Sequence, residues 1–155
     1  MHAIKSLIFL AIFSMGTLFA SEQKVVYDVT TGDAAKIEKN LVGSIESITK
    51  YYEKNHIEYK IAIVISGKAY KYFVKDLDNS PFKGKLKVQR AQKKLAPLLT
   101  ELHSKYDVSF KMCSAGMKAR NIDKKVLYKF VDAEKTKSVY LIEYQNSGYA
   151  YLPVH

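Results

Sequence analysis

Hydrophobic and polar positions change their period several times along the chain, which predicts strands that alternate with helices. Lys24–Thr30 is rich in β-branched residues, and Ile61–Ile65 is an unbroken apolar run too short to form a helix of its own. A continuous apolar run of this length is typical of a strand buried on both faces, as in a parallel sheet. Further strands are predicted over Asp107–Cys113, around Phe130–Val131 and over Tyr149–Pro153.

Between these strands, apolar residues recur at three- and four-residue spacing, which predicts amphipathic helices. The first helix covers 34–55 and follows the start signal Thr31-Gly32-Asp33. A second begins near Val88, and Pro97 interrupts its apolar stripe. Because proline inside a helix costs about 3 kcal/mol, we expect either a kink or a new helix that starts near Ala96. Shorter helical segments are predicted over 69–74, 114–121 and 123–130.

The last predicted helix covers Thr136–Asn146, with Val139, Ile142 and Leu141 facing inward. Gly148 follows it at the position where helices commonly end in a left-handed glycine. Strands that alternate with helices in this way imply an α/β domain with a mainly parallel sheet covered on both faces.

The first residues of the chain predict a secretory signal. Ser6–Ala20 is a mostly apolar run of 15 residues without a charge, and Lys5 precedes it. A bilayer span needs about 20 residues, whereas a signal peptide has a shorter apolar region and a small residue, here Ala20, before the cut. We therefore expect a signal peptide over 1–20 and a single exported domain over 21–155, periplasmic and without stable membrane insertion.

Composition narrows the function classes. A hydrophobic fraction of 48% is far from disorder, and a single cysteine excludes an internal disulfide and a four-thiolate zinc site. The net charge of +10 would fit nucleic acid, but only Arg90 and Arg120 among 25 basic residues carry the guanidinium that reads bases and phosphates. With the export signal, this argues against nucleic-acid binding. A basic cluster is expected to be a solvated face, or else a contact for anionic partners or an anionic membrane: Lys83, Lys85, Lys87, Arg90, Lys93 and Lys94.

Cys113 is the candidate nucleophile, because it stands where a predicted strand ends and a helix begins. Ligands of parallel sheets bind beyond the carboxyl ends of the strands, and a helix N-terminus favours a thiolate. Lys118 and Arg120 follow closely and would add positive potential. The alternative is structural, since a free cysteine is often a small buried hydrophobe.

The remaining chemistry-bearing residues predict no metal site and no cofactor. Met112 and Met117 flank Cys113 and are soft ligands of the kind that selects Cu(I), but Met112 should point to the opposite face of its strand, so core packing is the preferred interpretation. No histidine pair has ligand spacing. Asp28 and Asp33 lie near the end of the first strand as candidate ligand groups, and Asp33 is equally a helix-start residue.

Three segments together resemble one known family. Ser109–Ile122 (SFKMCSAGMKARNI) is similar to the cysteine segment of DsrE/DsrF-like proteins. Leu141–Pro153 (LIEYQNSGYAYLP) resembles the closing helix and strand of that family, and Ile61–Gly67 with the following Lys68-Ala69-Tyr70 resembles its second strand and turn. The similarity covers essentially residues 24–153.

The resemblance implies a three-layer α/β/α domain with a mainly parallel five-stranded sheet, assembled as a homo-oligomer, a trimer or hexamer. In cytoplasmic sulfur-relay members the matching cysteine carries a persulfide, a role that falls here on Cys113. This chain differs from those members by its export signal. We therefore predict an exported sulfur carrier or sulfurtransferase-type relay with a sulfur donor or acceptor protein as partner. The alternative is a non-catalytic oligomeric domain that binds a small ligand or a protein, in which Cys113 is structural.

Overall fold

The structure, a computed structural model, describes residues 22–155, in which five strands form one sheet. The sheet has the order β4-β3-β2-β1-β5 and every neighbouring pair is parallel. The strands are β1 (Gln23–Val29), β2 (Tyr59–Ile65), β3 (Ser109–Met112), β4 (Val131–Asp132) and β5 (Ala150–Val154). The predicted α/β class is confirmed. The predicted signal peptide over 1–20 lies outside the described residues, and none of the helices within 22–155 is long and apolar enough to span a bilayer.

One face of the sheet packs against the two long helical segments of the domain. Ala34–Lys36 (α1), a π-helical stretch Ile37–Val42 and Gly43–Lys54 (α2) follow one another without a break, and Leu86–Tyr106 forms α3. The predicted start signal is confirmed, because the Asp33 carboxylate accepts the Ala35 N–H at 2.9 Å. The main hydrophobic core lies between these helices and the sheet, with Tyr27, Ile63, Phe110, Ile37, Leu41, Leu95 and Leu99 among its fully buried side chains.

α3 continues through Pro97, so of the two alternatives expected there, a kink or a new helix near Ala96, the new helix was wrong. Pro97 is exposed, whereas Leu95, Leu99 and Leu102 on either side of it are buried in the main core. Burying a leucine side chain stabilises by about 1.5–3 kcal/mol. Three of them together exceed the cost of about 3 kcal/mol for one interior proline, so packing holds the helix in one piece.

Among residues 22–155, the helix that covers the opposite face is α5 (Lys137–Asn146). Its core is small and consists of four buried residues, Val26, Ala62, Val64 and Tyr140. The predicted ends of the helix are confirmed, with Thr136 as N-cap and Gly148 in the left-handed region at φ 84°.

The predicted inward face of α5 was wrong for Val139 and Ile142, whereas Leu141 packs against the small core as predicted. Val139 and Ile142 are 41% and 57% exposed, Leu141 is half-buried, and Tyr140 is the residue that enters the core. The Tyr140 hydroxyl explains this orientation, because it accepts the N–H groups of Glu134 and Lys135 at 2.9 and 3.0 Å and donates to Asp132 at 3.2 Å. These bonds set the rotation of the helix.

The short predicted helices are shorter still in the structure. Tyr70–Tyr72 and Lys124–Val126 are single 3₁₀ turns, and α4 covers Ser114–Lys118. An antiparallel bridge between Val74 and Leu127 ties the two 3₁₀ segments together. These connections pass over the carboxyl ends of β2 and β3 and so surround the residues that follow those strands.

Candidate functional site

Cys113 is the first residue after β3 and the N-cap residue of α4. Its N–H donates to the Ile65 carbonyl at 3.0 Å, which extends the pairing with β2 by one residue, and its carbonyl accepts the Met117 N–H at 3.1 Å. The backbone of Cys113 is therefore held on both sides, and the thiol lies at the carboxyl edge of the sheet, where sequence reasoning expected it.

Cys113 is only 9% exposed, and its thiol meets hydrogen-bond donors from three separate segments. Burial by itself raises the pKa of the thiol. The N–H groups of Gly116 and Lys137, the Tyr70 hydroxyl and the Ala115 N–H outweigh burial together, and the pKa of Cys113 lies below its ordinary value. The fold therefore favours the thiolate.

Tyr70 encloses Cys113 from the segment that follows β2. Its ring is buried and its hydroxyl donates to the Cys113 carbonyl at 3.0 Å. Burial, with the hydrogen bond to Cys113, raises the pKa of Tyr70 well above its ordinary value, so the hydroxyl remains a donor. The Arg120 guanidinium lies 4.8 Å from the centre of the ring and donates to the Gly116 carbonyl at 3.1 Å. Arg120 therefore makes a cation–π contact with the Tyr70 ring that encloses Cys113.

Gly116 makes the close approach of Tyr70 to α4 feasible. A Cβ atom at position 116 would lie 1.8 Å from the Tyr70 hydroxyl oxygen and 2.6 Å from its Cζ atom. Glycine is needed here for space, because any larger residue would displace the hydroxyl. Sequence reasoning assigned neither Tyr70 nor Gly116 a role in the site; both appeared only within the segments that resemble the family.

The start of α5 is the third segment that brings a hydrogen-bond donor to Cys113. The Ser114 N–H donates to the Lys135 carbonyl at 3.0 Å, which joins the start of α4 to this segment. Lys137, the first residue of α5, presents its N–H to the thiol. The position of α5 along the sheet therefore determines one of the bonds on which the thiolate depends.

Asp28 anchors that first residue of α5 to β1. The carboxylate is 2% exposed, and its Oδ2 atom accepts the Lys137 ammonium at 2.7 Å and the Tyr151 hydroxyl at 2.8 Å. Its Oδ1 atom has no hydrogen-bond partner among the described residues. Asp28 lies near the site, as the sequence indicated, and positions Lys137. Asp33 caps the first helix and is not part of the site.

The other candidate residues do not join Cys113 in a site. Met112 and Met117 are buried in the main core, as preferred from the sequence. His155 meets the Thr30 hydroxyl at 2.7 Å, and His103 stacks on Phe130 at 4.8 Å. Within residues 22–155, no three histidine, cysteine or acidic side chains are grouped closely enough to hold a metal ion.

The wide surface depressions lie apart from Cys113. One of about 610 Å³ is lined by Asp76, Gln92 and Lys125, among others, and one of about 410 Å³ runs beside α5 past Lys111 and Tyr144. Cys113 lines neither of these depressions and is nearly buried. This geometry suits a small reactant, or a thiol presented at the surface by a partner.

The chain is similar to known proteins over almost all of its described length. A family model described as the DsrE/DsrF-like family matches residues 23–154. An uncharacterized protein of Aquifex aeolicus (strain VF5) is 29% identical over 136 residues, which is 88% of this chain and 58% of that protein. The chain thus spans little more than half of that relative's length.

One solved structure supports the fold, and a second shows a weaker likeness. A protein of unknown function from Methanobacterium thermoautotrophicum (MTH1491) superposes with a TM-score of 0.67 at 17% identity, over 85% of this chain and 99% of that one. The ychN protein from E. coli is similar with a TM-score of 0.46 at 15% identity, over 84% and 98% of the two chains. At 17% identity, the likeness to the Methanobacterium thermoautotrophicum protein supports a shared α/β fold and nothing further.

Proposed function

The chain belongs to the DsrE/DsrF-like family, and on that premise we propose that it carries sulfur as a persulfide on Cys113. The observation that supports this most directly is the enclosure of the Cys113 thiol by hydrogen-bond donors from α4, α5 and Tyr70, which lowers its pKa in spite of burial. A structural cysteine has no need of such donors, because a neutral thiol packs well among apolar groups.

The proposed reaction consists of two thiol exchanges. The Cys113 thiolate attacks the outer sulfur of a persulfide donor, a new S–S bond forms at Cys113, and the donor leaves as its thiolate. An acceptor thiolate then attacks the outer sulfur held on Cys113, and Cys113 leaves as a thiolate. One sulfur atom moves at each exchange, so electrons balance without an added oxidant or reductant.

The donors around Cys113 serve both exchanges. A thiolate that is stabilised by the N–H groups of Gly116 and Lys137 and by the Tyr70 hydroxyl forms at lower pH than an ordinary cysteine thiolate and also leaves more readily. The enclosure of the thiol also limits access by larger oxidants, which matters in the oxidising compartment that the apolar run Ser6–Ala20 predicts.

We also propose that the protein acts as an exported homo-oligomer, a trimer or hexamer. Ser6–Ala20 supports export. Exposed apolar residues on α5 and on the edge strand β5 support contact with a second copy, because burying them against a partner would remove apolar surface from water. They are Val139, Ile142, Tyr151 and Leu152.

The competing function is that of a binding domain in which Cys113 is structural, and the low exposure of the thiol favours it. The test is to incubate the folded chain with inorganic polysulfide and to measure its intact mass, with Cys113→Ser as the blank. We expect a reversible gain of one sulfur atom that a thiol acceptor removes. If the chain takes up sulfur only after unfolding, the persulfide function is rejected and the binding-domain function is the one supported.

A further inference from the structure

The distribution of charge along the chain is strongly uneven at the start of α3. Residues 79–100 contain six basic side chains and no aspartate or glutamate. All six are exposed, and among residues 22–155 only Lys94 has a carboxylate partner, Glu38 at 2.7 Å. Together with Leu86 we call these residues the basic patch: Lys83, Lys85, Lys87, Arg90, Lys93 and Lys94.

The first turn of α3 lacks the capping side chain and the acidic residues that usually stabilise a helix N-terminus. Lys85 is the N-cap residue and gives no side-chain cap, and the first turn contains no acidic residue. The N–H groups of Leu86 and Lys87 have no acceptor among the described residues. A helix N-terminus is partially positive and favours anions, so the surrounding lysines add repulsion that an external anion would relieve.

Leu86 stands at the centre of these cations and is 64% exposed. It lies in a shallow depression of about 580 Å³ that is mostly apolar and is lined also by Gly84, Val88 and Arg90. The turn before it is made by Gly84 in the left-handed region at φ 72°. The patch therefore combines an exposed leucine with neighbouring cations, Lys85, Lys87 and Arg90, which is the composition of surfaces that bind at a membrane interface.

We propose that the basic patch binds the surface of a membrane rich in anionic phospholipids. Phosphate headgroups would meet the lysines and the free N–H groups at the start of α3, while Leu86 enters the interface. Nucleic acid fits less well, because Leu86 has no partner on a phosphate backbone and Arg90 is the one guanidinium in the patch.

The placement of the patch gives the contact a defined orientation. α3 ends at Tyr106, shortly before β3 begins at Ser109, so the helix runs back along the sheet and its first turn lies toward the carboxyl ends of the strands. Docking would therefore turn the edge that carries Cys113 toward the bilayer. The proposal itself depends on no property of Cys113 and stands or falls separately from sulfur transfer.

Co-sedimentation of the full chain with lipid vesicles tests the proposal. Phosphatidylcholine vesicles report any contribution from the apolar run Ser6–Ala20, and vesicles that also contain phosphatidylglycerol report the patch. We expect binding to the anionic vesicles that weakens steeply with salt. Equal binding to both kinds of vesicle, or none to either, would overturn the proposal.

Two charge variants separate the patch from net charge. Lys83→Gln with Lys87→Gln and Arg90→Gln should weaken partition to anionic vesicles by about fivefold per charge removed, roughly 100-fold in all. The matched control replaces Lys39, Lys50 and Lys54 with glutamine, because these lysines are exposed, without an ion pair among the described residues, and lie on another helix. An equal loss in both variants contradicts a specific patch.

Leu86→Ala then distinguishes a membrane from other polyanions. Because Leu86 is already exposed, the variant should fold normally. We expect partition to anionic vesicles to fall by about threefold to tenfold with an unchanged salt dependence, because only apolar contact is lost. Binding that is indifferent to this change, or tighter binding to a duplex oligonucleotide than to vesicles, would assign the patch to nucleic acid or an acidic protein instead.

Discussion

The two faces of the sheet are built on different physical principles. The face under α1, α2 and α3 is a continuous apolar core that includes large buried side chains such as Tyr27, Phe73 and Phe110. The face under α5 has four buried core residues and depends on polar links, such as the Asp28–Lys137 ion pair and the hydroxyl of Tyr140.

This difference separates stability from chemistry. The apolar face supplies most of the area removed from water and thus most of the driving force for folding. The polar face supplies oriented groups, and Cys113 lies where the two meet: Tyr70 and Gly116 reach it from the connections after β2 and β3, and Lys137 from α5. Mutations in the apolar core should therefore mainly lower the free energy of unfolding, whereas mutations around Cys113 should also change the pKa of its thiol.

The largest effect is expected from Leu99→Ala in the main core. Leu99 is fully buried, so its truncation removes apolar contact and leaves a cavity, at a cost of about 2–5 kcal/mol in the free energy of unfolding. The matched variant is Leu141→Ala on α5, which is half-buried and should cost clearly less. Urea denaturation measures both. Equal losses would show that the α5 face is as tightly packed as the other.

Gly116→Ala should combine a loss of stability with a change at the thiol. The new Cβ would collide with the Tyr70 hydroxyl, and overpacking of this kind costs about 1–3 kcal/mol. Displacing the hydroxyl should also raise the pKa of Cys113, which alkylation across pH reports. The control is Gly43→Ala, where the nearest atom is the Glu38 carbonyl oxygen at 3.7 Å; there we expect no loss and a gain of up to about 1 kcal/mol.

Asp28→Asn sharpens the contrast between a buried and an exposed ion pair on the α5 face. Asparagine keeps the shape but leaves Lys137 without its carboxylate, and we expect a loss of about 1–3 kcal/mol, moderated because Lys137 can turn toward solvent. Glu143→Gln removes an exposed partner of Lys135, and because solvent screens such a pair its loss should cost clearly less stability. If the two variants lost equal stability, the polar links of this face would not depend on burial.

Tyr70→Phe is expected to have the smallest effect on stability and to act on the thiol. Loss of the Tyr70 hydroxyl, one of the groups that lower the pKa of Cys113, should raise that pKa. The rate of alkylation of the folded protein should then shift to higher pH, with Cys113→Ser as the blank. An unshifted profile would remove the Tyr70 hydroxyl from the thiolate site.

The same pKa has a consequence for stability with a definite sign. Because folding lowers the pKa of Cys113, the thiolate adds stability that is fully present above the pKa of the unfolded chain, about 8.5. This contribution is lost as pH falls through the lower pKa of the folded protein. The stability of the native chain relative to Cys113→Ser should therefore rise with pH across that interval, and a flat difference would indicate an ordinary thiol.

Much of the fold was predictable because its signals are local. The apolar run Ile61–Ile65, the three-four spacing after Asp33 and the glycine after Asn146 each report the conformation of a few neighbouring residues. Cys113 could be placed at the end of a strand for the same reason. The sequence by itself thus determined the succession of strands and helices along the chain, the parallel sheet and the position of the Cys113 thiol at the end of a strand.

Tertiary structure decided what depends on contacts between distant segments. α3 continues through Pro97 because three buried leucines hold it, and α5 turns Tyr140 inward because the residues after β4 bind its hydroxyl. The donors around Cys113 come from positions 70, 116 and 137, which no local pattern connects. Periodicity reports which face of one element is apolar, whereas the environment of a thiol depends on how several elements pack together.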